Sequence, residues 1–266
     1  MRRALIDLLR CPRCRRGALT PETEGLDVLF GPLRCGDCHA SYPVSEGVAD
    51  LLGEPRDPGA IQRGFEQPWV ARAYERYLRS TLQVLLSRQR FDQQSELAIY
   101  RSLLGRPEGA LLDLGCGTGL FARLLARETP ETLVAGLDVS RAMIEEAVAL
   151  ARENGVAVDF IRAEAPELPF RDASLGGILQ ARGMSFIEDV GRLFAEVSRV
   201  LRPGGRFVAS THLPPRLGAA VLHRQMGLHP RAEEVIRASA SAAGLTAFER
   251  VLLPPIIVVK AEKKAA

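Results

Sequence analysis

Along residues 107–260, short apolar runs alternate with segments whose apolar positions recur at three and four, the pattern of strands alternating with helices. The runs at 110–114, 133–137, 158–165, 177–180 and 207–210 read as strands, and 121–127 and 187–201 read as helices between them. A further helix at 233–244 precedes two strands, 246–253 and 256–260, with Pro254-Pro255 suited to the turn of a hairpin. Upstream, residues 69–104 carry apolar positions at helical spacing (Val70, Tyr74, Tyr77, Leu78, Leu82, Leu85, Leu86), which predicts one or two amphipathic helices. The stretch from Gly53 to about Arg63 is rich in Pro, Gly and charge and reads as a linker. The first fifty residues have only short apolar runs: 4–9, a strand over 26–33, and 40–44. The expected organisation is a small module at 1–53, a linker and helical cap at 54–106, and an α/β domain at 107–266.

Composition narrows the class. The 266 residues are 47% apolar and 25% charged, as in ordinary globular proteins. A net charge of +3, from 35 basic against 32 acidic side chains, is too small to imply nucleic-acid binding by itself. No run reaches the roughly 18 to 20 apolar residues of a membrane span, and the N-terminus lacks the features of a secretory signal. A cytoplasmic protein without a membrane span is the expectation.

Four of the five cysteines form two pairs, Cys11-Pro-Arg-Cys14 and Cys35-Gly-Asp-Cys38. Two thiolates three residues apart bind one ion from a tight turn, and a second such knuckle completes a tetrahedral set. Four protein ligands leave no open coordination position, so a structural Zn2+ is expected at Cys11, Cys14, Cys35 and Cys38. His39 is read as a bystander beside this quartet.

The clearest motif is the strand Ala110-Leu-Leu-Asp113-Leu114 opening through Gly115-Cys116-Gly117-Thr118-Gly119 into a helix. Glycines let a ligand approach the backbone, and a helix start offers unpaired N–H groups. The dinucleotide fingerprint requires Gly or Ala where this chain has Leu120, so a different nucleoside ligand is favoured over NAD or FAD. The next strand ends in Asp138, nineteen residues beyond Gly119, where a carboxylate accepts hydrogen bonds from ribose hydroxyls.

Taken in order, LLDLGCGTG, GLDVS, ELPF and VLRPGGRF resemble the class I S-adenosylmethionine-dependent methyltransferases, in particular the ubiquinone and menaquinone biosynthesis type. CPRC, CGDC and SYPVSEGVADLL resemble the zinc ribbon that activates some tRNA and protein methyltransferases. The resemblance implies a Rossmann-like, seven-stranded α/β sheet with helices on both faces, preceded by the ribbon. It also implies S-adenosylmethionine as cofactor. Asp113 would orient the methionine amino group, Gly115, Gly117 and Gly119 would pack against the cofactor, and Asp138 would hold the ribose with Val139 beside the adenine. Glu164 and Ala165 would serve the adenine amino edge, and Gln180 the methionine side. Two departures stand out: Leu175-Gly176 replaces the family's Phe-Asp, and Gln180-Ala181-Arg182-Gly183-Met184 replaces the motif of enzymes that methylate exocyclic nucleobase amines.

Because the cofactor's sulfonium is itself electrophilic, the protein mainly has to align an acceptor and exclude water. Candidates on the acceptor side are Tyr74, Tyr77 and Arg182. Of His212, His223 and His229, His212 is the best placed as a base, just beyond a strand's C-terminal end. Cys116 is assigned to packing. Three readings remain open at this point: methylation of a small molecule, methylation of RNA by way of Arg10, Arg13, Arg15 and Arg16 of the ribbon, and an inactive cofactor-binding partner. Residues 213–231 are the least family-like part and the expected place of an acceptor-specific insertion.

Overall fold

The computed structural model describes residues 1–52, 60–78, 93–214 and 227–265. A four-residue helix, α1 (Arg3–Ile6), leads into the first knuckle, and four short strands follow: β1 (Leu19–Pro21), β2 (Gly31–Cys35), β3 (Ser41–Ser45) and β4 (Val48–Asp50). Next come the cap helices α2 (Ala60–Phe65) and α3 (Pro68–Ala73), the latter continuing into a π-helical turn at Tyr74–Leu78, and then α4 (Gln93–Leu104). Alternation then sets in: β5 (Ala110–Leu114), α5 (Leu120–Glu128), β6 (Val134–Asp138), α6 (Arg141–Glu153), β7 (Asp159–Arg162) and β8 (Leu175–Ala181). The chain ends with α7 (Val190–Val200), β9 (Leu201–His212), α8 (Glu233–Ala242), β10 (Leu245–Leu253) and β11 (Ile256–Lys263).

Among the described residues the strands form one sheet in the order β1-β2-β3-β4-β7-β6-β5-β8-β9-β11-β10. The seven strands expected from the alternating pattern are all present, parallel from β7 to β9, with β11 antiparallel to β9 and β10 closing the hairpin. The order reverses at β5, the switch point at which such sheets bind ligands. Ser140 caps α6 through its hydroxyl and Asp189 caps α7 through its carboxylate, each accepting from a backbone N–H three residues on.

The ribbon does not stand apart from this sheet. Its last strand, β4, pairs in parallel with β7, Val48 opposite Phe160 and Asp50 opposite Arg162. Leu5, Ile6, Leu9 and Leu33 of the ribbon belong to the same apolar cluster as Ile161, Phe170 and Phe194. The face of the joint that carries Ala49 and Ile161 is therefore packed into the core, while Asp50 and Arg162 pair on the other. The segment before the expected boundary ends in ordered structure at Leu52, and residues 53–59 of the expected linker lie outside the described residues.

Two expectations are corrected. The strand expected over 26–33 begins only at Gly31, because residues 26–28 pair instead with the start of the chain: Arg3 N–H donates to the Leu26 carbonyl and Val28 N–H to the Met1 carbonyl. Leu26, Leu29 and Phe30 consequently stay exposed. The fifth strand, expected at 207–210, starts at Leu201. Leu175 pairs with Leu201 and Gly177 with Arg206, so 202–205 bulge out of the ladder. Of the predicted helix over 69–104, Leu82, Leu85 and Leu86 lie outside the described residues, as does His223.

Gly176 accounts for the departure from the family's Phe-Asp. A Cβ there would stand 2.0 Å from the Glu108 carbonyl oxygen, so backbone fills the place of any side chain.

Candidate functional site

Three strand ends converge at the switch point. Gly115 and Cys116 donate their N–H groups to the Leu137 carbonyl, 2.8 and 3.0 Å, which stitches the glycine-rich turn after β5 to the end of β6. Asp113, buried, accepts from the Ala122 N–H of α5 at 2.9 Å. Asp138 accepts from Gly117 N–H at 2.8 Å and Ser140 N–H at 2.9 Å. An ionised carboxylate has about four acceptor sites, so acceptor capacity remains for a ligand's hydroxyls even with the Val139 N–H also bonded. Burial pushes the Asp138 carboxyl above its ordinary range, although the N–H groups of Ser140 and Gly117 act the other way. Cys116, half-buried, is raised well above the ordinary thiol value by desolvation and then by Asp113 and Asp138, so it stays a neutral packing group.

The glycines of the turn do different work. All have positive φ, 70°, 53° and 75° at 115, 117 and 119. A Cβ on Gly119 would stand 2.9 Å from the Phe160 ring and 3.1 Å from Ala147, whereas one on Gly117 would meet nothing within 4 Å. Gly119 is thus needed by the fold, and Gly117 faces open space where a ligand can approach. We expect Gly119→Ala to lower stability by roughly 2–4 kcal/mol through overpacking and a left-handed backbone. Gly117→Ala should cost only about 1–2 kcal/mol of stability. It should nevertheless weaken cofactor binding at least tenfold, as read by denaturant melts and titration calorimetry.

Gln180, at the end of β8, is 1% exposed, and its Oε1 has no hydrogen-bond partner among the described residues. A buried acceptor left unpaired costs about 1–3 kcal/mol, so the position calls for a donor such as the ammonium of a bound amino acid moiety. Val139 gives its carbonyl to Arg162 Nε at 3.0 Å. Glu164 and Ala165, half-buried, open the segment that continues into Glu167–Phe170.

Several residues of the site escaped the sequence reading. Glu75, in the π-helical turn, accepts from Thr118 Oγ1 at 2.8 Å and pairs with the buried Arg123 at 2.6 Å, joining the cap to the glycine-rich turn. Ser140 Oγ donates to the Phe65 carbonyl of α2 at 2.9 Å. No motif marks these, since a lone Glu on a helix resembles any solvated face. Tyr74 is half-buried with its ring edge-on to Phe65 at 5.6 Å, while Tyr77 is 62% exposed. Arg182 follows β8 with φ 63° and pairs with Glu96 of α4 at 2.9 Å. His212 ends β9, opposite Ile256 of β11. His229 donates its backbone N–H to the Ser185 carbonyl.

In the ribbon the sulfurs of Cys11, Cys14, Cys35 and Cys38 all lie within 4.8 Å of one another, with 3.6 Å between Cys11 and Cys38 and between Cys14 and Cys35. Four sulfurs each about 2.3 Å from one ion at tetrahedral angles would be about 3.8 Å apart, close to the two 3.6 Å pairs, so the quartet suits Zn2+. The N–H groups of Arg16 and Gly17 draw the Cys14 thiol down to about 6. At Cys38 the Ala40 N–H favours the thiolate, but burial and the sulfurs of Cys35, Cys11 and Cys14 push it up to about 11. A cation at the centre would allow all four to ionise together.

Ion pairs and backbone bonds fasten this ribbon to the sheet. Arg10 N–H donates to the Pro169 carbonyl and Arg171 N–H to the Leu8 carbonyl. Arg10 also reaches Asp172 at 3.5 Å and Glu196 at 3.6 Å. Burial of Glu196 is outweighed by Arg199 and Arg10, which hold its carboxyl below the ordinary range, and it accepts from the Leu168 N–H at 3.0 Å. Arg15 pairs with Glu167 and Arg16 with Asp37. Three of the four ribbon arginines are therefore engaged with carboxylates of the chain itself.

A parallel sheet reversing at β5, a glycine-rich turn and an acidic β6 end define a nucleoside-binding α/β fold of the methyltransferase class. A family model described as a methyltransferase domain matches residues 111–205. An uncharacterised chloroplastic methyltransferase of Arabidopsis thaliana is 27% identical over 96% of this chain and 79% of its own length. The ubiquinone/menaquinone biosynthesis C-methyltransferase of Desulfotalea psychrophila is 39% identical over 40% of this chain, and only 43% of that protein is spanned. Among solved structures, a phosphoethanolamine N-methyltransferase of Haemonchus contortus superposes with a TM-score of 0.59 at 19% identity, covering 65% of this chain and 53% of that one. The chain carries a class I S-adenosylmethionine-dependent methyltransferase domain related to the ubiquinone/menaquinone C-methyltransferases, behind an N-terminal four-cysteine cluster. No helix among the described residues is long and apolar enough to cross a membrane.

Proposed function

We propose that this protein transfers a methyl group from S-adenosylmethionine to a small-molecule acceptor, and that its ribbon holds a structural zinc ion. The observation that carries the reading is the buried Gln180 Oε1 at the end of β8, without a partner among the described residues, in the same strand-end cluster as the open face at Gly117 and the remaining acceptor capacity of Asp138. When bound, S-adenosylmethionine supplies a methyl group on a sulfonium, already electrophilic without activation. Asp138 holds the ribose hydroxyls, Gln180 accepts from the amino acid end, and Asp113 holds the turn in place from the start of α5. Val139, Glu164 and Ala165 border the adenine. The cap, latched by Glu75 to Thr118 and Arg123, excludes water. Tyr74, Tyr77 and Arg182 border the acceptor, and His212 takes its proton where one must be lost.

A small-molecule acceptor is supported by the activities of the quinone-type relative and of the phosphoethanolamine enzyme, and by the engagement of Arg10, Arg15 and Arg16 within the chain. Four cysteines held as zinc ligands rather than as disulfides suit a reducing compartment, as a cytoplasmic protein would have. To test the reading, zinc-replete protein is incubated with methyl-labelled S-adenosylmethionine and a lysate lacking the gene product, and the label is fractionated. Label in the small-molecule fraction is expected. Label in RNA would overturn the reading, and cofactor binding with no label anywhere would point to an inactive partner.

A further inference from the structure

Behind the acceptor side of the site lies a closed ring of hydrogen bonds, of whose members the mechanism above uses Arg182 alone. Arg182 N–H donates to Ser210 Oγ at 3.0 Å. Ser210 Oγ lies 2.7 Å from the Tyr100 hydroxyl, which donates to Glu96 Oε1 at 2.6 Å. Glu96 Oε2 accepts from Arg182 Nη2 at 2.9 Å, which returns the ring to the residue where it began. Three elements contribute: α4 gives Glu96 and Tyr100, β9 gives Ser210, and the turn after β8 gives Arg182.

Core stability alone gives no reason for the ring. Glu96 is 8% exposed, Tyr100 1% and Ser210 0%. Apolar residues of similar volume in place of a buried ionic cluster are often as stable or more so, so such a cluster points to a demand for one particular geometry. That geometry is the left-handed backbone of Arg182, φ 63°, an uncommon conformation for a non-glycine residue that persists where the surroundings over-determine it. Burial, reinforced by Glu96, keeps the Tyr100 phenol protonated and hence a donor. The turn held in this way is short and tightly packed. A Cβ on Gly183 would stand 3.3 Å from Gln180 Cγ and Nε2, and one on Gly115 would stand 3.9 Å from Gly183 Cα. Residues 180–183 therefore lie directly against the glycine-rich turn, between the cofactor side chain Gln180 and the acceptor residue Arg182.

We propose that Glu96, Tyr100 and Ser210 are positioning residues for methyl transfer, whose ring fixes Arg182 and the 180–183 turn as the wall against which the acceptor is aligned. The inference rests on the methyltransferase reading. Alignment errors of about 1 Å can lower a rate on the order of a hundredfold, so the ring should govern turnover more than cofactor affinity.

The test compares wild type with Tyr100→Phe and Ser210→Ala in the full chain. Each removes one hydroxyl, and Ser210→Ala keeps the proposal testable if Tyr100→Phe does not fold. Hydrogen exchange is followed at residues 181–184 with S-adenosylhomocysteine bound, alongside calorimetric dissociation constants for S-adenosylmethionine. Label transfer into the small-molecule fraction of the lysate is measured at saturating cofactor. The expected result is exchange at least tenfold faster at 181–184 with the other strands unchanged, cofactor KM and dissociation constant within twofold, and a transfer rate lowered at least tenfold. Exchange unchanged at 181–184, or faster throughout the sheet, would overturn the proposal. So would a rate that falls only in proportion to cofactor affinity. If wild type binds S-adenosylmethionine but transfers no label, the methyltransferase reading fails, and the exchange pattern alone decides whether the ring fixes the turn.

Discussion

Removing the zinc proposed for the four-cysteine cluster is expected to unfold the N-terminal region and to weaken S-adenosylmethionine binding in the same step. A structural zinc site contributes on the order of 10 kcal/mol to a module too small to fold by its own core. Here the module's apolar residues are continuous with the core of the sheet, and its first knuckle borders the segment that begins at Glu164 and Ala165. Arg15 on Glu167, Arg10 on Glu196 and Glu196 on the Leu168 N–H form an unbroken path from the cysteines to that segment. A net loss of about 5 kcal/mol would lower Tm by roughly 10–20 °C for a protein of this size. Chelation, or Cys35→Ser, should produce this fall in scanning calorimetry, with cofactor affinity reduced about tenfold at a temperature where the sheet remains folded. Gly17→Ala probes the same site without removing a ligand, since the added Cβ would stand 2.3 Å from Cys35 Sγ. Unchanged Tm and affinity after chelation would show that packing alone holds the ribbon.

Replacing Asp138 should have the largest effect on the cofactor. Two charge-assisted hydrogen bonds to ribose hydroxyls are together worth about 3–4 kcal/mol, a factor of roughly 10²–10³ in the dissociation constant. Asp138→Ala also leaves Gly117 and Ser140 N–H groups without their present acceptor, so Asp138→Asn should separate loss of charge from loss of shape. The pH dependence has a definite sign. Burial raises the carboxyl above its ordinary value in the folded protein, so the native state binds this proton more tightly than the unfolded chain does. The group's contribution to stability is greatest in acid and declines as pH rises through the window between the ordinary and the raised value. Cofactor binding runs the opposite way because ribose hydroxyls need the ionised form. Affinity should fall by up to tenfold per pH unit below the raised value, a dependence that Asp138→Asn should abolish. Binding independent of pH in the wild type would remove Asp138 from the ribose.

The alternating core was legible because its signals are local. Apolar runs, the glycine-rich turn and an acidic strand end each lie within a dozen residues, and their order identifies the sheet. The cysteine spacing was readable for the same reason. The joint between ribbon and sheet was not, since Val48–Asp50 reads as the tail of a small module, and only its register against Phe160–Arg162 makes it a sheet strand. The Arg182 ring was hidden by distance along the chain: Tyr100 and Ser210 are 110 residues apart. At 26–33, β-propensity predicted one strand, but pairing of 26–28 with the chain start prevailed.

The parallel pairing of β4 with β7 also decides where the sheet ends. Without the ribbon, β7 would present an open row of backbone donors and acceptors, the kind of template on which chains stack into aggregates. With it, that border passes to β1, a three-residue strand ending in Pro21, which has no N–H to offer a newcomer. A chain that lost the ribbon's grip would thus gain a sticky border at the moment it lost its support for the segment 164–170, so its failure in the cell would be precipitation as much as inactivity.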